Sequence, residues 1–303
     1  MAGVTTEMRL PVPLGFLAAK AWGPPEGRPV LCLHGRLDNA NTFDRLIPLL
    51  PTDCYYVALD FSGHGLSSHW AAGFMYHHFN YVLDVLRAVE ALNWSRFTIM
   101  GHSLGGLIGG IIAIVFPYMV DKLILLDSYG FLPYKQEELL GSASMIIKQF
   151  LALDRKKNIK VYSPEEALKR LLKANSLTEE SGRILLQRGT KKVPGGVTYS
   201  RDIKATVINP FLFTVEQCVE FLKNIDADVL IIVAKDGMGK SKLLNPEGPF
   251  GKVLLQGFRT SLKERFQVEV VDGHHSVHLD NPERVSGFIS HFLQRDQQIK
   301  ARL

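Results

Sequence analysis

Apolar residues in this chain gather in short unbroken runs, separated by longer stretches with helical periodicity. "VLCLHG" (30–35), "CYYVALD" (54–60), "FTIMG" (97–101) and "KLILLD" (122–127) show no polar alternation. Strands of that kind are covered on both faces, which predicts a parallel sheet between two helical layers. Ahead of the third run, "FNYVLDVLRAVEAL" (79–92) sets Val82, Leu86, Val89 and Leu92 at helical spacing. The strand-helix-strand order is that of a doubly wound α/β fold. Residues 7–22 hold two short strand-like runs around Pro11, Pro13 and Gly15, which predict an edge hairpin.

From Ser128 to Ile208 the pattern changes. Charge-rich helical segments such as "SPEEALKRLLKANSLTEES" follow one another with no apolar strand among them. Ser163-Pro164-Glu165-Glu166 is a helix start: an N-cap serine, proline in the first position, and acids near the positive end of the dipole. The strand pattern returns in "DVLIIVA" (228–234) and "FQVEVVDG" (266–273), and "NPERVSGFISHFLQ" (281–294) predicts a closing helix. The expected organisation is a core built from residues 1–127 and 209–303, with residues 128–208 inserted as a helical cap.

Composition narrows the function classes. With 46% hydrophobic and 21% charged residues, the 303-residue chain can bury a large core. The net charge of +5 is modest, and no aromatics interleave with the short basic runs, so a nucleic-acid surface is not expected. Three scattered cysteines, Cys32, Cys54 and Cys218, form no ligand motif; they predict buried thiols in a reducing compartment, with no structural metal. The N-terminus lacks the pattern of a secretory signal. Leu104 to Phe116, about 13 residues, is too short to span a bilayer. A soluble chain without a transmembrane segment is expected.

The chemistry centres on "RFTIMGHSLGGLIGGI" (96–111). Gly101-His102-Ser103-Leu104-Gly105 sits where an apolar strand gives way to an apolar helix. A sharp turn there exposes the serine hydroxyl at the strand's carboxyl end and aims the helix N-terminus at any oxyanion formed beside it. Gly101 and Gly105 flank the serine because a Cβ would collide with the neighbouring strand or helix.

With these motifs the chain resembles the α/β-hydrolase family over nearly its whole length. His34-Gly35 is similar to the family's oxyanion-loop dipeptide, and "DFSGHGLSS" (60–68) to its turn after the next strand. The resemblance implies that the backbone amides of Arg36 and Leu104 receive the oxyanion, while His34 braces the loop. It also implies a base in the loop after the last strand, where "VVDGHHSVHLDNPERV" offers His274, His275 and His278. The family spacing before the proline of the final helix, here Pro282, selects His275; His278 is expected to pack under the loop.

Two carboxylates compete for the third position. The family's usual acid follows "DVLIIVA" as Gly-x-x-Asp, but Asp236 arrives one residue early and Gly237 fills its slot. The other location used in the superfamily is the end of the earlier strand, where Asp127 stands. Both stay open, with Asp127 preferred; Asp121 and Asp280 read as helix or loop ends.

The implied reaction is hydrolysis of an ester, thioester or related acyl bond of a small hydrophobic substrate, through an acyl-enzyme on Ser103 and without a cofactor. Phe131, Tyr134, Met145, Phe150 and Phe211 are candidates to line an apolar pocket. The rival reading is a hydrolase-like protein that binds a ligand or partner without catalysis, supported by the irregular acid. Finally, Ala301-Arg302-Leu303 has the form of a peroxisomal address, so an import receptor is an expected partner and peroxisome and cytoplasm the expected locations.

Overall fold

The computed structural model describes residues 5–13, 15–155, 160–207 and 213–300, with side chains to 295. The tail motif Ala301-Arg302-Leu303, and Phe211, lie outside the described residues. The chain opens with β1 (Thr6–Val12) and β2 (Gly15–Trp22), the expected antiparallel edge hairpin. There follow β3 (Arg28–Leu33), β4 (Cys54–Leu59), α1 (His78–Ala91), β5 (Phe97–His102), α2 (Leu104–Val115) and β6 (Val120–Leu126).

Next come α3 (Leu139–Asp154), α4 (Pro164–Ala174), α5 (Glu179–Gly189) and the strands β7 (Thr190–Val193) and β8 (Gly196–Tyr199). The fold closes with α6 (Val215–Phe221), β9 (Asp228–Ala234), α7 (Pro249–Leu262), β10 (Phe266–Val271), α8 (Val277–Asp280) and α9 (Glu283–Lys300).

Eight strands form one sheet in the order β1-β2-β4-β3-β5-β6-β9-β10, parallel from β4 onward. The unbroken apolar runs are explained by what covers them. In β9, Val229, Ile231 and Val233 enter the core layer beneath α1, α2 and α7, while Leu230, Ile232 and Ala234 enter the layer beneath α9. Each fully buried aliphatic side chain contributes roughly 1.5–3 kcal/mol, so a polar residue on either face of this strand would be costly. Cys32, Cys54 and Cys218 are buried free thiols within these layers.

The insertion between β6 and β9 departs from the expected all-helical pattern in one place. Residues 190–199 form a hairpin turned at Pro194-Gly195, with Val193 paired to Gly196. Proline pre-sets the first turn position and Gly195, at φ 85°, takes the left-handed one. Its strands lack an apolar face, so no hydrophobic alternation announced them; Lys191 and Lys192 are exposed. Ser163 does cap α4, accepting from the Glu166 N–H at 3.1 Å.

A buried ion pair ties the insertion to the sheet. Arg188, at the end of α5 and 4% exposed, donates Nε to Asp60 at 2.6 Å and Nη1 to Glu7 at 2.7 Å. Asn39 and Asn41 donate to the carbonyls of Leu185 and Ile184, and Asp280 accepts from Thr178. The α5 end of the cap is therefore held against the loops that leave β3 and β4. No helix among the described residues is long and apolar enough to cross a membrane.

Candidate active site

Four strand ends converge at one edge of the sheet, those of β3, β5, β6 and β10. Ser103 sits at the turn from β5 into α2 with φ 50° and ψ −112°, a strained conformation for a residue with a side chain. The glycines around it are explained by close approach. A Cβ on Gly101 would lie 2.5 Å from the backbone of Gly105, and one on Gly105 would run into the carbonyl of Leu33. Helix α2 can therefore start directly over the strand, and Leu104, its first residue, has one of the N–H groups that no helical carbonyl satisfies.

The β3 loop lies on the elbow. An added Cβ on Gly35 would stand 3.5 Å from Ser103 Cβ and 2.7 Å from His102 Nδ1, so Arg36 leaves the chain beside the serine. His34 is fully buried and braces this loop as expected: Nδ1–H donates to the Gly35 carbonyl at 2.6 Å, and Nε2 accepts from the Phe61 N–H at 3.0 Å. Burial holds its pKa well below the ordinary imidazole range, in keeping with a neutral ring. His64 accepts from the Leu37 N–H at 3.2 Å, and burial takes its pKa down to about 4.

The structure brings Asp127, and not Asp236, to the histidine. Asp127 follows β6 at φ 45°, its side chain fully buried. One oxygen accepts from the Ala234 N–H at 2.8 Å; the other accepts from the Met238 N–H at 2.8 Å and from His275 Nδ1 at 2.5 Å. Asp236 lies on an exposed turn, pairs with Lys240 at 2.9 Å, and is held below the usual carboxylate range by that lysine. Gly237 explains the arrangement. A Cβ there would strike the Asp127 carboxylate and come within 2.8 Å of His275 Cα. The empty slot after β9 is the space that the acid from β6 occupies.

Of the three histidines in the last loop, His275 has its ring on Asp127 and is half exposed, and His274 is exposed on the surface. His278 packs beneath, fully buried, with Nε2 2.9 Å from Thr42 Oγ1, and burial takes its pKa down to about 3. His102, the variable residue of the elbow motif, went unassigned in the sequence. Its Nε2–H donates to the His275 carbonyl at 2.9 Å, and its ring lies 4.7 Å from that of His275. It fastens the histidine loop to the serine turn. Among the described residues, no group of three or more potential ligands gathers to hold a metal ion.

One apolar cavity lies along α2, and the described residues expected to line a pocket fall outside its lining. This cavity, of about 190 Å³, is lined by His77, His78, Phe79, Leu107, Ile111, Leu132 and Phe213. It begins one helical turn beyond Ser103, since the Leu107 N–H bonds the Ser103 carbonyl. Phe131 is core and Phe150 packs with Ile146 and Val207 inside the cap, while Met145 faces outward. Tyr134 lies partly buried outside the lining. The periodicity of α3 serves the cap's own small core, so Phe150 was a poor guide to a pocket.

Residues 28–156 match the family model described as alpha/beta hydrolase fold. The chain is 45% identical over 307 residues to Serine hydrolase-like protein 2 of Homo sapiens, covering 99% of this chain and 98% of the relative. A solved hypothetical protein of Pseudomonas aeruginosa PAO1 is 34% identical with a TM-score of 0.83, covering 95% of this chain and 99% of that one. A thioesterase domain from the curacin biosynthetic pathway is 26% identical with a TM-score of 0.76, covering 94% and 99%.

Proposed function

The chain belongs to the α/β-hydrolase family, and from that premise we propose that it is a serine hydrolase cleaving an ester or thioester through an acyl-enzyme. The observation that carries the reading is the short hydrogen bond from His275 Nδ1 to Asp127, in the loop that His102 fastens to the Ser103 elbow. Asp127 fixes the imidazole tautomer with Nε2 bare, ready to take a proton, and stabilises the imidazolium that results. Ser103 attacks the carbonyl as His275 removes its proton; His275 then protonates the leaving alcohol or thiol. Water, activated by the same nitrogen, releases the acid.

The amides of Arg36 and Leu104 are the proposed oxyanion donors. Such donors lower the barrier by roughly 3–4 kcal/mol each. The apolar cavity along α2 suits a hydrophobic acyl chain. The likeness to the thioesterase domain from the curacin pathway supports including thioesters. The test is a fluorophosphonate probe on the wild type and on Ser103→Ala. Labelling of the first and not the second is the expected result. A wild-type serine that stays unlabelled would favour a hydrolase-like ligand-binding protein instead.

A further inference from the structure

The loop leaving β3 is tied to the turn after β4 at three successive points. His34 Nε2 accepts from the Phe61 N–H at 3.0 Å, His64 Nε2 accepts from the Leu37 N–H at 3.2 Å, and Asp60 accepts from the Ala40 N–H at 2.8 Å. The middle tie falls on the turn that adjoins the serine. There the Asp38 N–H donates to the Gly35 carbonyl at 3.3 Å, which makes Arg36 and Leu37 the central residues of a β-turn. Leu37 stands at φ 62°, and Arg36 is not in the left-handed region. A positive φ at the second central position alone is the type II pattern, which calls for glycine. A leucine there is strained, and such strain persists only where the surroundings impose it.

The surroundings are specific. The Leu37 side chain rests on the core, and its N–H goes to His64. Type II differs from the less demanding type I by a flip of the peptide joining the two central residues. The N–H of that peptide is the one that His64 holds, so the flip would turn it away from the imidazole. His64 cannot follow, because it is fully buried, with its ring 5.2 Å from that of His34 and 6.1 Å from that of Tyr81. Its Nδ1 lies 3.1 Å from the Ser62 carbonyl, which can only accept. Nδ1 therefore carries the proton, and Nε2 offers its lone pair to Leu37.

We propose that His64 is a positioning residue for this site: it holds the Gly35–Asp38 turn in its strained form and so keeps the Arg36 amide against Ser103. The proposal rests on the hydrolase reading for what that amide receives, but the clasp is a matter of backbone conformation and can be read without turnover. An added Cβ on Gly35 would lie 3.5 Å from Ser103 Cβ, and Arg36 is the next residue. A turn free to exchange between two forms would move a donor that works only at a fixed distance from the oxyanion. The histidine of "DFSGHGLSS" thereby acts on the serine through Leu37.

Two variants of the full chain separate the bond from the fold. His64→Leu removes the acceptor, and His64→Gln returns an oxygen near the place of Nε2. Hydrogen–deuterium exchange read by mass spectrometry follows the amides of residues 35–38. His64→Leu should speed their exchange by about tenfold, the loss of one hydrogen bond, and His64→Gln should restore part of the protection. Melting temperatures and unchanged exchange in β5 show that each variant is folded. On 4-nitrophenyl butyrate, kcat/KM should fall at least about tenfold in His64→Leu and recover in part in His64→Gln. Affinity for 1,1,1-trifluorooctan-2-one, which forms an oxyanion on the serine, should fall with it, while affinity for octan-2-one should not. Unchanged exchange in His64→Leu, equal losses for the two ketones, or a defect that His64→Gln leaves untouched overturns the proposal. A wild type unreactive toward fluorophosphonate sinks the hydrolase reading instead, and the exchange measurement still decides the clasp.

Discussion

Replacing Asp127 by asparagine exchanges one carboxylate oxygen for an NH2 group and should nearly abolish the proposed hydrolysis. Three donors converge on the carboxylate: the N–H groups of Ala234 and Met238, and His275 Nδ1. Asparagine offers one oxygen and one NH2. With the oxygen toward Ala234, the NH2 meets the Met238 N–H donor to donor and can only donate to the imidazole. His275 must then accept at Nδ1 and carry its proton on Nε2, where it cannot act as a base. In triads of this kind the wrong tautomer costs about 10⁴-fold in rate, or about 5.5 kcal/mol at 1.36 kcal/mol per decade.

Stability should fall less, by about 1–3 kcal/mol, the cost of one buried N–H left without an acceptor. Asp236→Asn supplies the control. It removes only a solvent-screened pair with Lys240, and should leave turnover within about twofold. Initial rates on a chromogenic ester and the rate constant of fluorophosphonate labelling measure activity, and urea unfolding measures stability. If Asp236→Asn is as damaging as Asp127→Asn, the role argued for Asp127 is wrong.

Other perturbations probe the supports of the site. Gly237→Ala should lower turnover by an order of magnitude or more, because its Cβ would press on Asp127 and His275; wild-type kinetics in this variant would refute the packing argument. Arg188→Gln strips the counter-charge from fully buried Asp60, and urea unfolding should show a loss of about 3–5 kcal/mol; a loss under about 1 kcal/mol would mean that the pair does not anchor the cap. Burial raises the Asp38 pKa from 3.8 to about 7, so between those values the folded state holds a proton that the unfolded state has released, and stability falls as pH rises. Asp38→Asn should remove that slope and gain on the wild type by roughly 2 kcal/mol across the interval, half of what a fully buried group would give. Parallel pH–stability curves for the two proteins would contradict it.

The central strands were legible in the sequence because they are covered on both faces, leaving short unbroken apolar runs. The cap hairpin was not, because β7 and β8 bury neither face fully and their register rests on a Pro-Gly turn. Ser103 was readable from its glycines, each of which reports a close approach to backbone. His102 was hidden for the opposite reason: the motif leaves its position free, and its partner is a carbonyl 173 residues away. No local pattern encodes a contact of that range.

The acid is the instructive case, because the residue that resolved it is a glycine. By spacing alone, Asp236 missed its slot by one and Asp127 belonged to another strand, so the two stayed open. Strands β6 and β9 are hydrogen-bonded neighbours, however, with Leu126 paired to Ile232 and the Asp127 N–H bound to the Ile232 carbonyl at 2.7 Å. Their ends therefore aim at the same volume beside the histidine, and only one can fill it. A carboxylate after β6 requires the smallest residue after β9, and Gly237 meets that requirement. The pair has to be read together, since an aspartate at 237 would collide with the one at 127. Neither position alone carries the information; the adjacency of their strands does, and that adjacency is a property of the sheet order.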